Sequence, residues 1–149
     1  MAKYSAIMNR ATTSTTNAAG AIYNPSSGMR RFRVWQLIIG STASPADNDF
    51  LVRAAKSTTA PTGGTAVTPE PLDNADAATP ILCMDGTITN GTVGNAVLEI
   101  ALNQRATVIW SAHPGCELVA PAVADDGFHF TTPTALNTPA IDMTAFFED

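Results

Sequence analysis

The chain has 149 residues, enough for one domain with its own hydrophobic core, so neither disulfides nor a metal ion is needed for folding. Only 14% of the residues are charged, and Thr and Ala are abundant, which favours β-sheet surfaces that are polar without being ionic. No apolar run is long enough for a membrane span, and no hydrophobic signal core follows the first residues, so we expect a protein that is made in the cytoplasm.

The net charge of −5 is divided unevenly along the chain. Residues 1–57 carry seven of the eight basic residues and two acidic ones, whereas residues 58–149 carry one basic residue and eleven acidic ones. The two halves could therefore attract each other, or one of them could meet a partner of opposite sign. The one basic patch is short, which favours a protein partner over nucleic acid.

Residues 1–28 predict an N-terminal arm or a loosely paired edge strand, because bulky apolar side chains are few and the segment ends in a turn cluster at residues 24–28. Such a segment cannot bury much apolar surface by itself, so we expect another chain to order it. The residues predicted to contact that partner are the bulky and basic ones of the arm and the basic patch that follows it, namely Tyr4, Ile7, Arg10, Ile22, Tyr23, Arg30, Arg31 and Arg33.

Residues 29–149 predict a single all-β domain with a β-sandwich or jelly-roll-like fold. Alternating or continuous apolar runs predict short strands, whereas helix is limited to single turns near residues 44–49 and 72–78. The strands are expected within residues 29–40, 50–55, 65–68, 81–84, 86–93, 95–112, 117–123, 128–131 and 139–147.

The strongest pattern is a pair of alternating runs within residues 95–112. Ala96, Leu98, Ile100 and Leu102 share one face of the first run, and Ala106, Val108, Trp110 and Ala112 share one face of the second. The runs form either a hairpin with an odd loop at residues 103–105 or two strands in different sheets, and both geometries point the apolar rows inward. We expect one core that contains Leu98, Ile100, Val108, Trp110, Val34 and Ile38.

No residue cluster predicts catalysis, a cofactor or a bound metal. His113, Cys116, Glu117 and His129 carry suitable atoms for zinc, but their spacing is that of an ordinary turn and a strand. No nucleophile signature surrounds Cys116, and the oxygen-rich run Asp47-Asn48-Asp49 has no continuing calcium pattern. We therefore expect a protein that is not an enzyme.

Three segments resemble small virion proteins of tailed bacteriophages, specifically head decoration, or cement, proteins. The resemblance implies a β-rich subunit, often a homotrimer, that binds the major capsid protein on the outside of the virion, without contact to nucleic acid or membrane. The matching motifs are Ile22-Tyr23-Asn24, Gly28-Met29-Arg30-Arg31, Leu37-Ile38-Ile39-Gly40-Ser41 and Pro45-Ala46-Asp47-Asn48; Ala66-Val67-Thr68-Pro69, Leu72-Asp73 and Ala75-Asp76-Ala77-Ala78; and Leu102-Asn103-Gln104-Arg105-Ala106-Thr107 with Trp110 and Pro114-Gly115.

Other functions predict different surfaces. A tail, tail-fibre or filament subunit of a virion would use the same β surfaces for stacking. A carbohydrate-binding module usually displays exposed aromatic side chains on one sheet face, whereas the pattern here predicts that Trp35 and Trp110 are buried. Nothing in the sequence indicates a hydrolase.

Overall fold

The computed structural model describes residues 1–10, 17–42, 44–89, 91–133 and 139–149. The secondary structure of these residues is entirely β, which confirms the predicted fold class. The strands are β1 (Lys3–Arg10), β2 (Asn17–Tyr23), β3 (Phe32–Ser41), β4 (Asp49–Ser57), β5 (Thr62–Val67), β6 (Glu70–Pro71), β7 (Leu82–Thr89), β8 (Val93–Asn103), β9 (Val108–Ser111), β10 (Leu118–Ala120), β11 (Gly127–Thr131) and β12 (Ile141–Glu148).

The strands form two antiparallel sheets of six strands each, which pack face to face as a β-sandwich. Sheet A has the order β10-β3-β12-β1-β6, and β9 also pairs with β3. Sheet B has the order β5-β7-β2-β11-β4-β8. Among the described residues no helix is long and apolar enough to cross a membrane.

The pairing of the strands is nested from the two ends of the chain. β1 pairs with β12, β2 with β11, β3 with β10 and β4 with β8, and successive pairs alternate between sheet A and sheet B. β1 and β12 are in register from Lys3 opposite Glu148 to Arg10 opposite Ile141. The first and last strands therefore lie together inside sheet A.

The core lies between the sheets and follows the period of two along each strand. In β12, Ile141, Met143, Ala145 and Phe147 are buried and alternate with half-buried residues, so they lie on the inward face of the strand. The ring of Phe32 meets Phe128 of sheet B at 6.3 Å and Phe147 of sheet A at 6.1 Å, both edge to face. These three rings tie the two sheets together.

The predicted N-terminal arm is wrong. β1 lies between β12 and β6, and β2 lies between β7 and β11, so residues 3–10 and 17–23 belong to the sandwich itself. The small side chains there allow close approach: a Cβ at Gly20 would lie 2.8 Å from Met8 Sδ and 3.0 Å from Met143 Cε. A small residue at this position therefore lets β2 pack closely against Met8 of β1 and Met143 of β12. Residues 11–16 of the predicted arm lie outside the described residues.

The runs within residues 95–112 lie in different sheets, β8 in sheet B and β9 in sheet A. The hairpin alternative is thus wrong, whereas the two-sheet alternative is confirmed, and Leu98, Ile100, Val108 and Trp110 pack half-buried against the core. Ala96 and Ala106 are exposed, contrary to prediction. The register of β8 on β4 shifts between Leu98 and Ala96, which breaks the alternation there.

The prediction that Ile38 lies in the core is wrong, because a second register shift occurs in β3. Phe146 lies opposite Gln36, but the next residue, Phe147, lies opposite Val34, so β3 carries one extra residue. As a result Leu37 and Ile39 are buried on the same side as Val34, while Ile38 turns outward and is only half-buried. The predicted helical turns are also absent, because the described residues of 44–49 and 72–78 form bends, turns and strand ends.

Candidate partner-binding surface

The outer face of sheet A carries a row of uncharged side chains across four strands. Ile7 of β1 lies opposite Thr144 of β12, Thr144 lies opposite Ile38 of β3, and Ile38 lies opposite Ile109 of β9. The outer ends of the row, Ile7 and Ile109, are 60% and 62% exposed. Single exposed isoleucines are ordinary, but a row that is continuous across a sheet is a feature of binding surfaces.

A second uncharged row runs beside the first. It consists of Ser5, Phe146, Gln36 and Ser111, and Gln36 Nε2 donates a hydrogen bond of 2.9 Å to Ser111 Oγ. The ring of Phe146 packs on Trp35 with 5.5 Å between the centroids, and both side chains are half-buried. The outer face of sheet A therefore has an uncharged band two residues wide, made of these two rows and Trp35.

Charged side chains border this band on both sides along the direction of the strands. On one side Lys3 lies opposite Glu148, and Glu148 Oε1 lies 2.6 Å from Arg33 Nε. On the other side Asp142 lies beside a shallow depression of about 450 Å³ that Ile7 and Asn9 also line. Charged residues around an uncharged area are the arrangement typical of protein–protein contacts.

The basic patch pairs largely with the acidic half of the same chain. Arg30 Nη1 lies 3.6 Å from Asp149 Oδ1, Arg33 contacts Glu148, and Arg53 of β4 pairs with Glu99 of β8. Each pair joins residues 1–57 to residues 58–149, so the attraction between the two halves operates within the fold. Arg31 is exposed, and the side chain of Arg30 is more than half exposed, so both remain accessible to a partner.

Four of the predicted partner-binding residues are buried in their own subunit, which corrects their assignment. Tyr4 stacks on Phe147 with 5.5 Å between the ring centroids, and its hydroxyl donates to Ala77 O. Ile22 is a core residue, and Tyr23 is buried in a small cluster of sheet B. Arg10 Nη1 donates to Ala18 O at 2.8 Å, and burial lowers the pKa of its guanidinium. Only Ile7 of the predicted arm contacts stays open to solvent.

The side chains that were considered for zinc lie in different environments. His129 is fully buried in β11 between β2 and β4, and burial lowers the pKa of its imidazole to about 4. His113 and Cys116 are exposed on the turn after β9, where Glu117 accepts a hydrogen bond from the Gly115 amide. Among the described residues no three His, Cys, Asp or Glu side chains are grouped closely enough to hold a metal ion.

The sequence did not predict three members of the uncharged band as surface residues. Trp35 was expected to be buried, and Ile109 and Phe146 were not singled out. Strict alternation does place Ile109 outward, since Val108 and Trp110 face the core. The extra residue in β3 that turns Ile38 outward has no signal in the sequence.

Searches against protein-family models, curated proteins and solved structures found no match to the chain. The surfaces of the fold and the three resembling segments are the remaining indications of function.

Proposed function

We propose that the protein is a phage head decoration, or cement, protein that binds the major capsid protein through the outer face of sheet A. The observation that carries the binding role is the uncharged band, whose ends Ile7 and Ile109 are exposed on a broad sheet. The inference that the partner is the capsid rests on the three segments that resemble decoration proteins. A rigid sandwich with low surface charge suits a subunit that is clamped onto a lattice.

The order in which the strands pair supports the proposal of a jelly-roll-like fold. The nested pairs β1–β12, β2–β11, β3–β10 and β4–β8 follow the order expected when a long hairpin is rolled into two sheets. Jelly rolls occur in viral capsid proteins and in lectins, so this support is an analogy of fold and does not identify the partner.

The remaining features of the proposal concern chemistry, assembly and location. We propose a purely structural role without a cofactor; His129 is buried, and His113 and Cys116 lie on an exposed turn. Arg30 and Arg33 pair with acidic groups of the same chain, which favours a protein partner over nucleic acid. The resemblance adds a homotrimer on the exterior of the virion, made in the host cytoplasm.

The alternative proposal is a tail, tail-fibre or filament subunit. It is favoured by a different feature, the edge strand β8, which pairs with β4 alone within the described part of the chain. An edge of this kind can stack subunits, so purified protein that forms long polymers would support the alternative.

The test of the decoration role is attachment to capsids that lack the protein. A double variant, Ile7→Lys with Ile109→Lys, places two charges in the uncharged band without touching the core. Burying an isoleucine contributes about 1.5–3 kcal/mol, so we expect attachment to weaken by more than about tenfold. Leu82→Lys is the control, since Leu82 is an exposed apolar residue of sheet B.

Two results would contradict the proposal in different ways. Wild-type protein that does not attach to any capsid, or that leaves the heat resistance of the particles unchanged, would argue against the decoration role. Attachment of the double variant with wild-type affinity would remove the outer face of sheet A from the contact.

A further inference from the structure

The edge of sheet B at β8 is long, and among the described residues no further strand lies beside it. β8 has eleven residues, and within the described part of the chain it pairs only with β4. Its register on β4 is regular from Asn103 to Leu98 and is interrupted from Val97 downward. The regular portion, residues 98–103, is therefore a flat edge on which another strand could align.

The direction of the backbone groups on this edge follows from the ladder. Gln104 N donates to Asn48 O at 3.0 Å, one step beyond the pair formed by Asp49 and Asn103. Because bonded and non-bonded pairs alternate in an antiparallel ladder, the even-numbered residues of β8 bond to β4. The amide and carbonyl groups of Glu99, Ala101 and Asn103 consequently point away from the sheet.

The same side of the sandwich leaves apolar side chains incompletely covered. Leu98 and Ile100 of β8 pack against the core but remain half-buried, as do Val108 and Trp110 of β9 in the opposite sheet. A strand added beside β8 would cover the inner row of Leu98 and Ile100 and would also bond the outward backbone groups.

We propose that β8 pairs antiparallel with β8 of a second copy of this chain, across a two-fold axis at Ile100. This register sets Leu98 opposite Leu102 of the other copy and Ile100 opposite its own counterpart, so the inner apolar rows meet. It sets Glu99 opposite Ala101 of the other copy, and these two residues carry the outward backbone groups that must bond. The contact doubles the six-stranded sheet B.

A second copy of β8 can pair with this edge without placing like charges opposite each other. Glu99 is the only charged residue of β8, and Arg53 of the neighbouring strand already pairs with it. A register centred on Glu99 would oppose two carboxylates directly and is disfavoured, whereas the register centred on Ile100 avoids that clash. The strand is therefore complementary to itself in a register that also aligns its apolar residues.

The proposed contact is separate from the outer face of sheet A and does not depend on the decoration role. A two-fold contact closes with two copies, so the trimer implied by the resemblance would need another surface. If this two-fold axis crosses the three-fold axis of the trimer at a right angle, the trimer contact and the β8 contact together give a hexamer, and the β8 contact alone gives a dimer.

The test uses substitutions at Ala101, which is exposed and whose amide points away from β4. Ala101→Pro removes that amide without removing a bond to β4, and Ala101→Ser is the control that keeps it. By sedimentation equilibrium at protein concentrations up to about 1 mM, the Ala101→Pro assembly should have half the mass of the wild-type assembly. Its melting temperature, measured where both proteins are dissociated, should stay within a few degrees of wild type.

A pair of charged variants gives a second readout that does not depend on how well the proline is tolerated. Ala101→Glu faces Glu99 of the other copy and should weaken association by roughly tenfold, whereas Ala101→Lys faces the same carboxylate and should retain it. A wild-type protein that stays monomeric, an Ala101→Pro assembly of unchanged mass, or equal effects of the two charges would each overturn the proposal.

Discussion

The edge at β1 and the edge at β8 differ in whether neighbouring segments bond to the outward backbone groups of the strand. On the side of β1, the chain crosses from β5 in sheet B to β6 in sheet A, and β6 pairs with Tyr4 and Ser5. Leu72 N donates to Lys3 O at 2.8 Å, and Asn9 N donates to a carboxylate oxygen of Asp85. The backbone of β1 that faces away from β12 is thus bonded to neighbouring segments.

The side of β8 and β9 has no such cover within the described residues. β8 bonds to β4 only, and the apolar residues nearest this edge remain half-buried. The comparison teaches that β6 and Asp85 complete the edge of sheet A at β1, whereas β5 and β8 are the terminal strands of sheet B within the described residues, and β8 is the longer of the two. Two surfaces are candidates for partner binding. These surfaces are the edge of β8 and the outer face of sheet A.

Removal of β1 should have the largest effect, because it deletes a strand from inside sheet A. A chain that lacks residues 1–10 loses one of the two strands that pair with β12 along its whole length, and it opens the core at Tyr4, Ala6 and Met8. We expect no cooperative thermal transition by circular dichroism. A truncated chain that melts cooperatively near the wild-type temperature would show that β1 is the dispensable arm that the sequence predicted.

A single substitution on the closed side should also be severe. Tyr4 is 2% exposed and stacks on Phe147, so Tyr4→Ala should lower the free energy of unfolding by about 3–5 kcal/mol in denaturant titrations. Tyr4→Phe removes only the hydrogen bond to Ala77 O and should cost about 1 kcal/mol. A loss below about 1 kcal/mol for Tyr4→Ala would mean that this side is not closed.

Acid sensitivity should come from His129, which is buried in sheet B. Burial holds the pKa of His129 near 4, below the ordinary value of 6.5, so protonation favours the unfolded chain. The contribution of neutral His129 to the free energy of unfolding is complete above pH 6.5. The free energy of unfolding should therefore fall by about 2 kcal/mol between pH 7 and pH 5.

A histidine variant separates this contribution from that of other groups. His129→Gln should flatten the dependence of the free energy of unfolding on pH between pH 7 and pH 5. If this variant keeps the slope, the titration of another group causes it.

The smallest of these effects is expected on the open side. Trp110 packs against the core but is only half-buried, so Trp110→Ala should cost about 1–2 kcal/mol, below the range typical of a buried tryptophan. Equilibrium unfolding of Trp110→Ala beside Tyr4→Ala compares the two sides directly. A cost for Trp110→Ala that equals or exceeds the cost for Tyr4→Ala would contradict the contrast.

Alternation along single strands was enough to predict much of the fold. It located the C-terminal strand within residues 139–147, and it oriented Val108 and Trp110 toward the core. It could not decide whether two consecutive runs pair with each other, because a hairpin and a passage between sheets place the same residues inward.

The errors have two physical causes. Extra residues in β3 and β8 shift the alternation, and no residue type marks those positions. Small residues predict a segment with few anchors, although at Gly20 the small residue lies in close contact with Met8 and Met143. Most of the predicted arm contacts consequently lie in the core, and the uncharged band emerged only when four strands were aligned.

Amide hydrogen exchange in a dilute sample tests the contrast between the two sides most directly. The amides of Asn9 and Ala101 both point away from the strand with which their own strand is in register. Asn9 donates to Asp85 on that side, whereas Ala101 has no acceptor there among the residues that the structure describes. We expect protection at Asn9, slow exchange at Ile100 and Leu102, and fast exchange at Ala101. Exchange at Asn9 as fast as at Ala101, or protection at Ala101 equal to that at Ile100, would contradict the account.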